Sequence, residues 1–156
     1  MRVLFLSISF FLIANIFSQS AQEASALFNE QKYEESGKLY AALLAKRPKD
    51  ALYNYRYARC NYETGNYEAA IEHFITSGDR YPLRDYYLAD SYFITYRFDE
   101  AVEHFTSYIS SSTNEVFTRQ AEDKLRRANI AARLIKRVEE VERSEEHTSE
   151  LQSLGY

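Results

Sequence analysis

The sequence predicts an all-α protein, a solenoid of about three helical hairpins followed by a C-terminal capping helix. The main observation is that residues 67–74, YEAAIEHF, return 31 residues later as FDEAVEHF at 98–105. A looser copy, YEESGKLY at 33–40, lies 34 residues before the first. Each copy has an aromatic residue, a small residue three positions on and an aromatic residue four beyond that, which is helical spacing. Repeats of this period indicate stacked hairpins, because one hairpin cannot bury its apolar face alone.

The N-terminus differs from the repeats. An almost unbroken apolar run from Val3 to Phe17 follows Arg2, and small residues lead to an expected cleavage site after Ser20. This pattern is typical of a secretory signal peptide over residues 1–20. An uncleaved anchor is the alternative, although the apolar run is short for a membrane span.

The C-terminus is also unlike the repeats. Residues 143–153 read RSEEHTSELQS, and one choice of codons for these residues spells a sequencing adapter. We therefore interpret 143–156 as an artefact and expect it to be disordered, with a natural acidic tail as the alternative. On this interpretation we expect that the natural reading frame continued past Glu142 and that a further domain followed it.

Composition excludes several classes of function. The formal net charge is −4, which predicts no general affinity for nucleic acid. Cys60 is the single cysteine, so the chain has no intrachain disulfide. We expect Cys60 to be a small buried packing residue within a helix. A free thiol that pairs between chains is the alternative.

Proline and glycine mark the joints between the predicted helices. Pro48 and Pro82 close the first two units, and Gly65 makes a tight turn inside the second. Asp50 and Asp99 are the expected N-caps. The repeats occupy residues 21–113 and the capping helix 114–142. Predicted helices cover residues 22–30, 33–46, 50–63, 67–76, 83–95, 99–110 and 115 to about 141.

The last predicted helix has one apolar and one basic face. The apolar stripe consists of Val116, Phe117, Ala121, Leu125, Ala128, Ala131, Leu134, Ile135 and Val138. The other face carries Arg119, Lys124, Arg126, Arg127, Arg133, Lys136 and Arg137, with two acidic residues among them. Capping the end of the hairpin stack is the expected role. Binding to an acidic surface is the alternative.

At these repeated positions the chain resembles the tetratricopeptide repeat (TPR) family. The second unit matches best, through Tyr57, Ala58, Tyr62, Gly65, Tyr67, Ala70, Phe74 and Pro82. The third unit matches through Leu88, Ala89, Tyr92, Phe98, Ala101, Phe105 and Tyr108, and the first more weakly. The tryptophan of the family is absent, and the spacing from the second unit to the third is three residues short. The resemblance covers about residues 21–110.

The resemblance implies a groove on the concave face, lined by the first helix of each hairpin. The predicted partner-binding residues are Phe28, Asn29, Tyr55, Arg59, Tyr62, Glu63, Tyr86, Asp90 and Phe93, flanked by Ser25 and Ile94. Their mixture of aromatic and charged side chains is typical of protein-recognition surfaces. We expect Arg59 and Asp90 to pair with each other when no partner is bound. Packing between helices is the alternative role for each tyrosine.

Catalytic and metal-binding motifs are missing from the sequence. It has no glycine-rich phosphate loop, no nucleophile elbow and no Cys or His pair at metal-ligand spacing. His73 and His104 occupy equivalent places in their repeats, so a metal-binding or pH-sensing pair is conceivable. Duplication alone also explains their recurrence, and this is the interpretation that we prefer.

We therefore expect a non-catalytic scaffold that binds a partner protein or peptide, with no cofactor, metal, nucleic acid or small-molecule substrate. A weaker resemblance is to the N-terminal part of certain Bacteroidota cell-envelope proteins. Those continue into a β-propeller and an OmpA-like peptidoglycan-binding domain, and some are linked to type IX secretion. This resemblance implies a place in the periplasm or on the periplasmic face of the outer membrane. A truncated module of such a protein is the alternative function.

Overall fold

The computed structural model describes residues 19–155, and every regular element in this range is an α-helix. The first helix, α1, is described over residues 19–29. The helices that follow are α2 Tyr33–Leu44, α3 Ala51–Glu63, α4 Tyr67–Ser77, α5 Arg84–Ile94, α6 Phe98–Ser111 and α7 Glu115–Ser153. The predicted all-α class is confirmed for the described residues. The predicted signal peptide lies almost wholly outside them, and within them no helix has the length and apolarity needed to span a membrane.

Short turns join the helices into three hairpins, α1–α2, α3–α4 and α5–α6, which stack in chain order onto α7. Two apolar cores result. The smaller core joins the first hairpin to α3 and includes Tyr40, Leu43 and Cys60. The larger core runs through the second and third hairpins into α7 and includes Phe74 and Phe105. Burying each of these two phenylalanines contributes about 1.5–3 kcal/mol to stability.

Each hairpin has one fully buried small residue in each of its two helices, at equivalent positions. The pairs are Ala24 with Ser36, Ala58 with Ala70, and Ala89 with Ala101, and all six residues are 0 % exposed. In the first hairpin the Ser36 hydroxyl donates to the carbonyl oxygen of Ala24 at 2.8 Å. The extra polar group is therefore satisfied, and serine can replace the alanine that the other hairpins use.

The three hairpin turns share one backbone geometry. Gln31, Gly65 and Tyr96 each follow a first helix and have positive φ values of 60°, 82° and 63°. In the middle turn the N–H of Asn66 donates to the carbonyl of Asn61 at 2.8 Å, and the equivalent bond closes the other two turns at 2.9 Å. This is the Schellman ending of a helix, which favours glycine because the left-handed region costs other residues free energy.

An edge-to-face aromatic pair lies across each of these turns. The ring centroids are 5.5 Å apart in Phe28–Tyr33, 5.7 Å in Tyr62–Tyr67 and 5.5 Å in Phe93–Phe98. Such pairs stabilise by about 0.5–1.5 kcal/mol beyond the area that they bury. The repeated turn and the repeated pair together set the angle between the two helices of every hairpin.

The structure confirms one predicted N-cap and corrects the other. The Asp50 carboxylate accepts from the N–H of Tyr53 at 3.1 Å, as a helix cap does. Asp99 is not a cap, because α6 already begins at Phe98. Asp99 instead lies in the first turn and pairs with Lys136 at 3.1 Å.

The predicted C-terminal boundary is wrong as well. Helix α7 continues to Ser153, whereas we expected a helix end near residue 141 and disorder from 143 onward. Extending an existing helix needs no new nucleus, and residues 143–153 contain neither proline nor glycine. The interpretation of these residues as a translated adapter concerns their origin and stays a prediction.

The turn geometry predicts opposite effects for two single substitutions. Gly65→Ala should lower the free energy of unfolding by about 1 kcal/mol, because the positive φ at this position is unfavourable for alanine. The added Cβ has no atom within 4 Å, so no steric clash adds to this cost. Gln31→Gly should raise it by up to about 1 kcal/mol, because glycine relieves the strained turn. Urea denaturation of the two variants checks both signs. Shifts in the same direction would contradict the shared turn geometry.

Candidate functional site

The candidate site is the face formed by α1, α3, α5 and the first part of α7, which lie side by side. We call it the first-helix face. The Arg56 guanidinium of α3 lies 4.2 Å from the ring centroid of Phe28 in α1. The Tyr86 hydroxyl of α5 donates to Oε1 of Gln120 in α7 at 2.9 Å. Contacts of this kind join the first helices, which the resemblance predicts to line a groove.

A row of aromatic side chains crosses this face. Phe28, Tyr62 and Phe93 occupy equivalent positions in the three hairpins and are each half-buried. The next residue of each helix, Asn29, Glu63 or Ile94, is exposed. Each ring thus packs against its own hairpin turn and keeps part of its surface exposed.

Arg59 lies between two of these helices. Its Nη2 atom is 2.6 Å from Oε1 of Glu63, and its Cζ atom is 3.7 Å from the ring centroid of Tyr87. Only 13 % of the Arg59 side chain is exposed, and its Nε atom is buried without a hydrogen-bond partner. The predicted pairing of Arg59 with Asp90 is wrong. Arg59 pairs instead with Glu63, which lies one turn further along the same helix.

Asp90 is instead the centre of a buried polar group. It is 2 % exposed, and its Oδ2 atom accepts from the Tyr62 hydroxyl at 2.5 Å. The Nζ atom of Lys124 lies 2.5 Å from the same oxygen. Burial and the hydrogen bond to Asp90 raise the pKa of Tyr62 well above its usual range, so the phenol stays protonated and donates. We refer to these three residues as the Asp90 network.

Lys124 reaches this network from α7, although the sequence pattern predicts it on the outward basic face. That assignment is wrong. Lys124 stands three residues after Ala121 and four before Ala128, and both alanines are 0 % exposed. The three positions share one side of the helix, so this spacing was the signal that could have found the inward lysine.

The predicted contact residues thus fall into two groups. Tyr86 and Asp90 are 4 % and 2 % exposed, so the structure corrects their role from touching a partner to supporting the face from below. Tyr55 is half-buried and stacks on Tyr81 with 4.2 Å between ring centroids, which is the packing role that we held as the alternative. The residues that remain accessible are Phe28, Asn29, Arg59, Tyr62, Glu63 and Phe93.

Each of the two histidines contacts a residue in the first helix of its own hairpin. His73 Nδ1 lies 2.7 Å from Asn54 Oδ1, and the Asn54 amide group already donates to the carbonyls of Pro48 and Asp50 at 2.9 Å each. The asparagine oxygen must therefore accept, so His73 carries its proton on Nδ1. Burial lowers the pKa of His73.

His104 has a different neighbour. Its Nδ1 atom is 3.4 Å from Oδ1 of Asp85 in α5. The two histidines contact different helices, α3 and α5, so the structure does not support a metal-binding or pH-sensing pair. Among residues 19–155 there is no group of three or more potential metal ligands.

Comparison with known proteins agrees with this geometry. Residues 22–76 match the model of the tetratricopeptide repeat family. No curated protein matches the chain. The type III secretion chaperone SycD of Yersinia enterocolitica, solved with a peptide of the translocator YopD, has a TM-score of 0.63 and 16 % identity, over 74 % of this chain and 94 % of that one.

Two further structures are similar. PcrH, in complex with the chaperone-binding region of PopD, has a TM-score of 0.62 and 17 % identity, over 75 % of this chain and 93 % of its own. The TPR domain of Sgt2 from Aspergillus fumigatus has a TM-score of 0.62 and 20 % identity, over 75 % of this chain and 82 % of its own. The fold is a TPR-type helical solenoid. Its first helices form the first-helix face, and α7 takes the next place in the stack.

The Asp90 network predicts a large stability cost for removing its cation. Lys124→Met should lower the free energy of unfolding by about 3–5 kcal/mol, because the buried carboxylate keeps only the Tyr62 hydroxyl as a partner. The double variant Lys124→Met with Asp90→Leu should lie closer to wild type, since both charges are gone. Chemical denaturation of the single and double variants measures this coupling.

Lys136→Met is the matched control. The Lys136 side chain is 61 % exposed and its pair with Asp99 lies at the surface, so its loss should cost no more than about 1 kcal/mol. Equal costs for the two lysine substitutions would show that Asp90 is not a buried partner of Lys124.

Proposed function

We propose that this chain is a non-catalytic scaffold that binds a peptide segment of a partner protein on the first-helix face. The observation that carries the proposal is the row formed by Phe28, Tyr62 and Phe93. Three half-buried rings at equivalent positions of neighbouring helices offer apolar contact area that is already ordered. Ordered aromatic groups cost little entropy on binding and often dominate the energy of an interface.

The polar residues beside this row indicate which kind of peptide the face would bind. Arg59 and Glu63 place one positive and one negative group at the centre of the face. A clamp for a terminal carboxylate needs a cluster of Lys and Arg. The predicted contact residues that remain accessible contain one Arg, and the neighbouring Arg56 already lies over the Phe28 ring. We therefore infer that the ligand is an internal segment with apolar or aromatic anchors, in which charges of both signs flank the anchors.

The comparisons favour the same class of function. SycD was solved with a peptide of YopD, and PcrH with the chaperone-binding region of PopD. Identities of 16 % and 17 % carry the likeness of fold only. The support that they lend is that this fold accommodates peptides in two of its close structural neighbours.

The experiment begins with a peptide obtained by display selection on the full chain or by partner pull-down. Arg59→Glu and Tyr62→Ala should each weaken its binding by about 1–4 kcal/mol in calorimetry while the circular dichroism stays helical. Tyr62→Phe keeps the ring and removes the hydroxyl that Asp90 accepts, so it separates ring contact from support of the network. Amidating the peptide's C-terminus should leave its affinity unchanged.

Arg126→Glu is the control, since Arg126 lies on α7 outside the face and its side chain is 75 % exposed. Its binding should equal that of the wild type. If Arg59→Glu and Tyr62→Ala bind the peptide normally and Arg126→Glu abolishes binding, the first-helix face is the wrong site. The basic side of α7 would then be the working surface.

We also propose that the protein is exported and acts in the bacterial cell envelope. The apolar run behind Arg2 and the small residues up to Ser20 support this proposal. A reporter enzyme that is active only outside the cytoplasm, fused after Ser20, should be active in a bacterial host. An inactive fusion would count against export without bearing on peptide binding. The narrower alternative, a module of an OmpA-like envelope protein, rests on the sequence resemblance alone.

A further inference from the structure

The C-terminal half of α7 carries apolar side chains that the hairpin stack does not cover. Ala121 and Ala128 in the first half of the helix are 0 % exposed. Further along, Leu134 is 57 %, Val138 55 % and Val141 51 % exposed. The same helix thus changes from a packed element to one with an open apolar side.

These side chains follow the spacing of a coiled coil. Ala131, Leu134, Val138 and Val141 are separated by three, four and three residues, which places them at successive a and d positions of a heptad. Ile135 lies beside them and is 42 % exposed. A seam of this kind fits another helix with the same spacing.

Charge divides this part of the helix into two blocks. Residues 126–137 contain five basic and no acidic side chains: Arg126, Arg127, Arg133, Lys136 and Arg137. Residues 139–142, which lie before the segment interpreted as an adapter, contain three acidic and no basic side chains: Glu139, Glu140 and Glu142. Surface contacts within the chain are made by Arg126 and Arg127 with Asp123, and by Lys136 with Asp99. All three basic side chains are 61 % exposed or more, so they can still meet a second helix.

We propose that residues 131–141 of α7 pair with the same residues of a second copy of this chain in an antiparallel coiled coil. Ala131 then packs opposite Val141 of the second copy, and Leu134 opposite Val138. The same register brings Arg133 opposite Glu139. The basic block of each chain therefore faces the acidic block of the other, which a parallel pair would not achieve because it aligns each block with itself.

The oligomeric state tests the proposal. Light scattering of the full chain over a range of concentrations should show the mass rising from that of a monomer to twice that value. Leu134→Glu combined with Val138→Glu should keep the protein monomeric at every concentration, while circular dichroism stays helical. Ile75→Glu is the matched control, since Ile75 is 53 % exposed on α4, and it should dimerise like the wild type. A monomeric wild type, or a dimer that survives the double substitution, would overturn the proposal.

Cysteine cross-linking tests the orientation. The native Cys60 is buried, so an introduced thiol reacts selectively. Ala131→Cys together with Val141→Cys should give a disulfide-linked dimer on mild oxidation. Ala131→Cys alone should not, because its two copies lie about 15 Å apart along an antiparallel pair, beyond the reach of a disulfide. Efficient cross-linking of the single variant would show a parallel pair and contradict the inference.

Discussion

The close approach of two helices at a pair of small residues is the constraint on which this structure depends. Ala58 and Ala70 are fully buried in the second hairpin, and the first and third hairpins have equivalent pairs. Because small residues occupy these positions, the two helices of a hairpin can approach closely, and the larger Phe74 and Phe105 fill the space between neighbouring hairpins. The same angle is then repeated along the chain, and the first helices come to lie side by side.

The first-helix face combines accessible rings with a buried charge that holds its helices in place. Asp90 of α5 accepts from Tyr62 of α3 and pairs with Lys124 of α7, so one carboxylate connects three helices. Separating the pair would leave a buried charge without its partner, which disfavours arrangements in which α7 moves away from α5. The network therefore fixes the position of α7 against the hairpins. Phe28, Tyr62 and Phe93 remain half-exposed above it.

Most of the fold could be predicted because its repeated pattern is local. The aromatic and small residues at 67, 70 and 74 return at 98, 101 and 105, and helical spacing translates them into hairpins. The turns at Gln31 and Tyr96 could not be recognised by composition, since neither residue is the glycine that their backbone favours. The candidate site was harder to predict from the sequence than the fold. The partner of Asp90 lies 34 residues away on α7, and its identity depends on how that helix packs.

The stability of Ala70→Leu tests the central claim most directly. If the hairpins depend on close contact at the small pairs, the added side chain has no room, and the free energy of unfolding should fall by about 1–3 kcal/mol. Ala42→Leu makes the same chemical change at an exposed position of α2 and should stay within about 0.5 kcal/mol of the wild type. Urea denaturation of both variants gives the comparison. An Ala70→Leu protein as stable as Ala42→Leu would contradict the account.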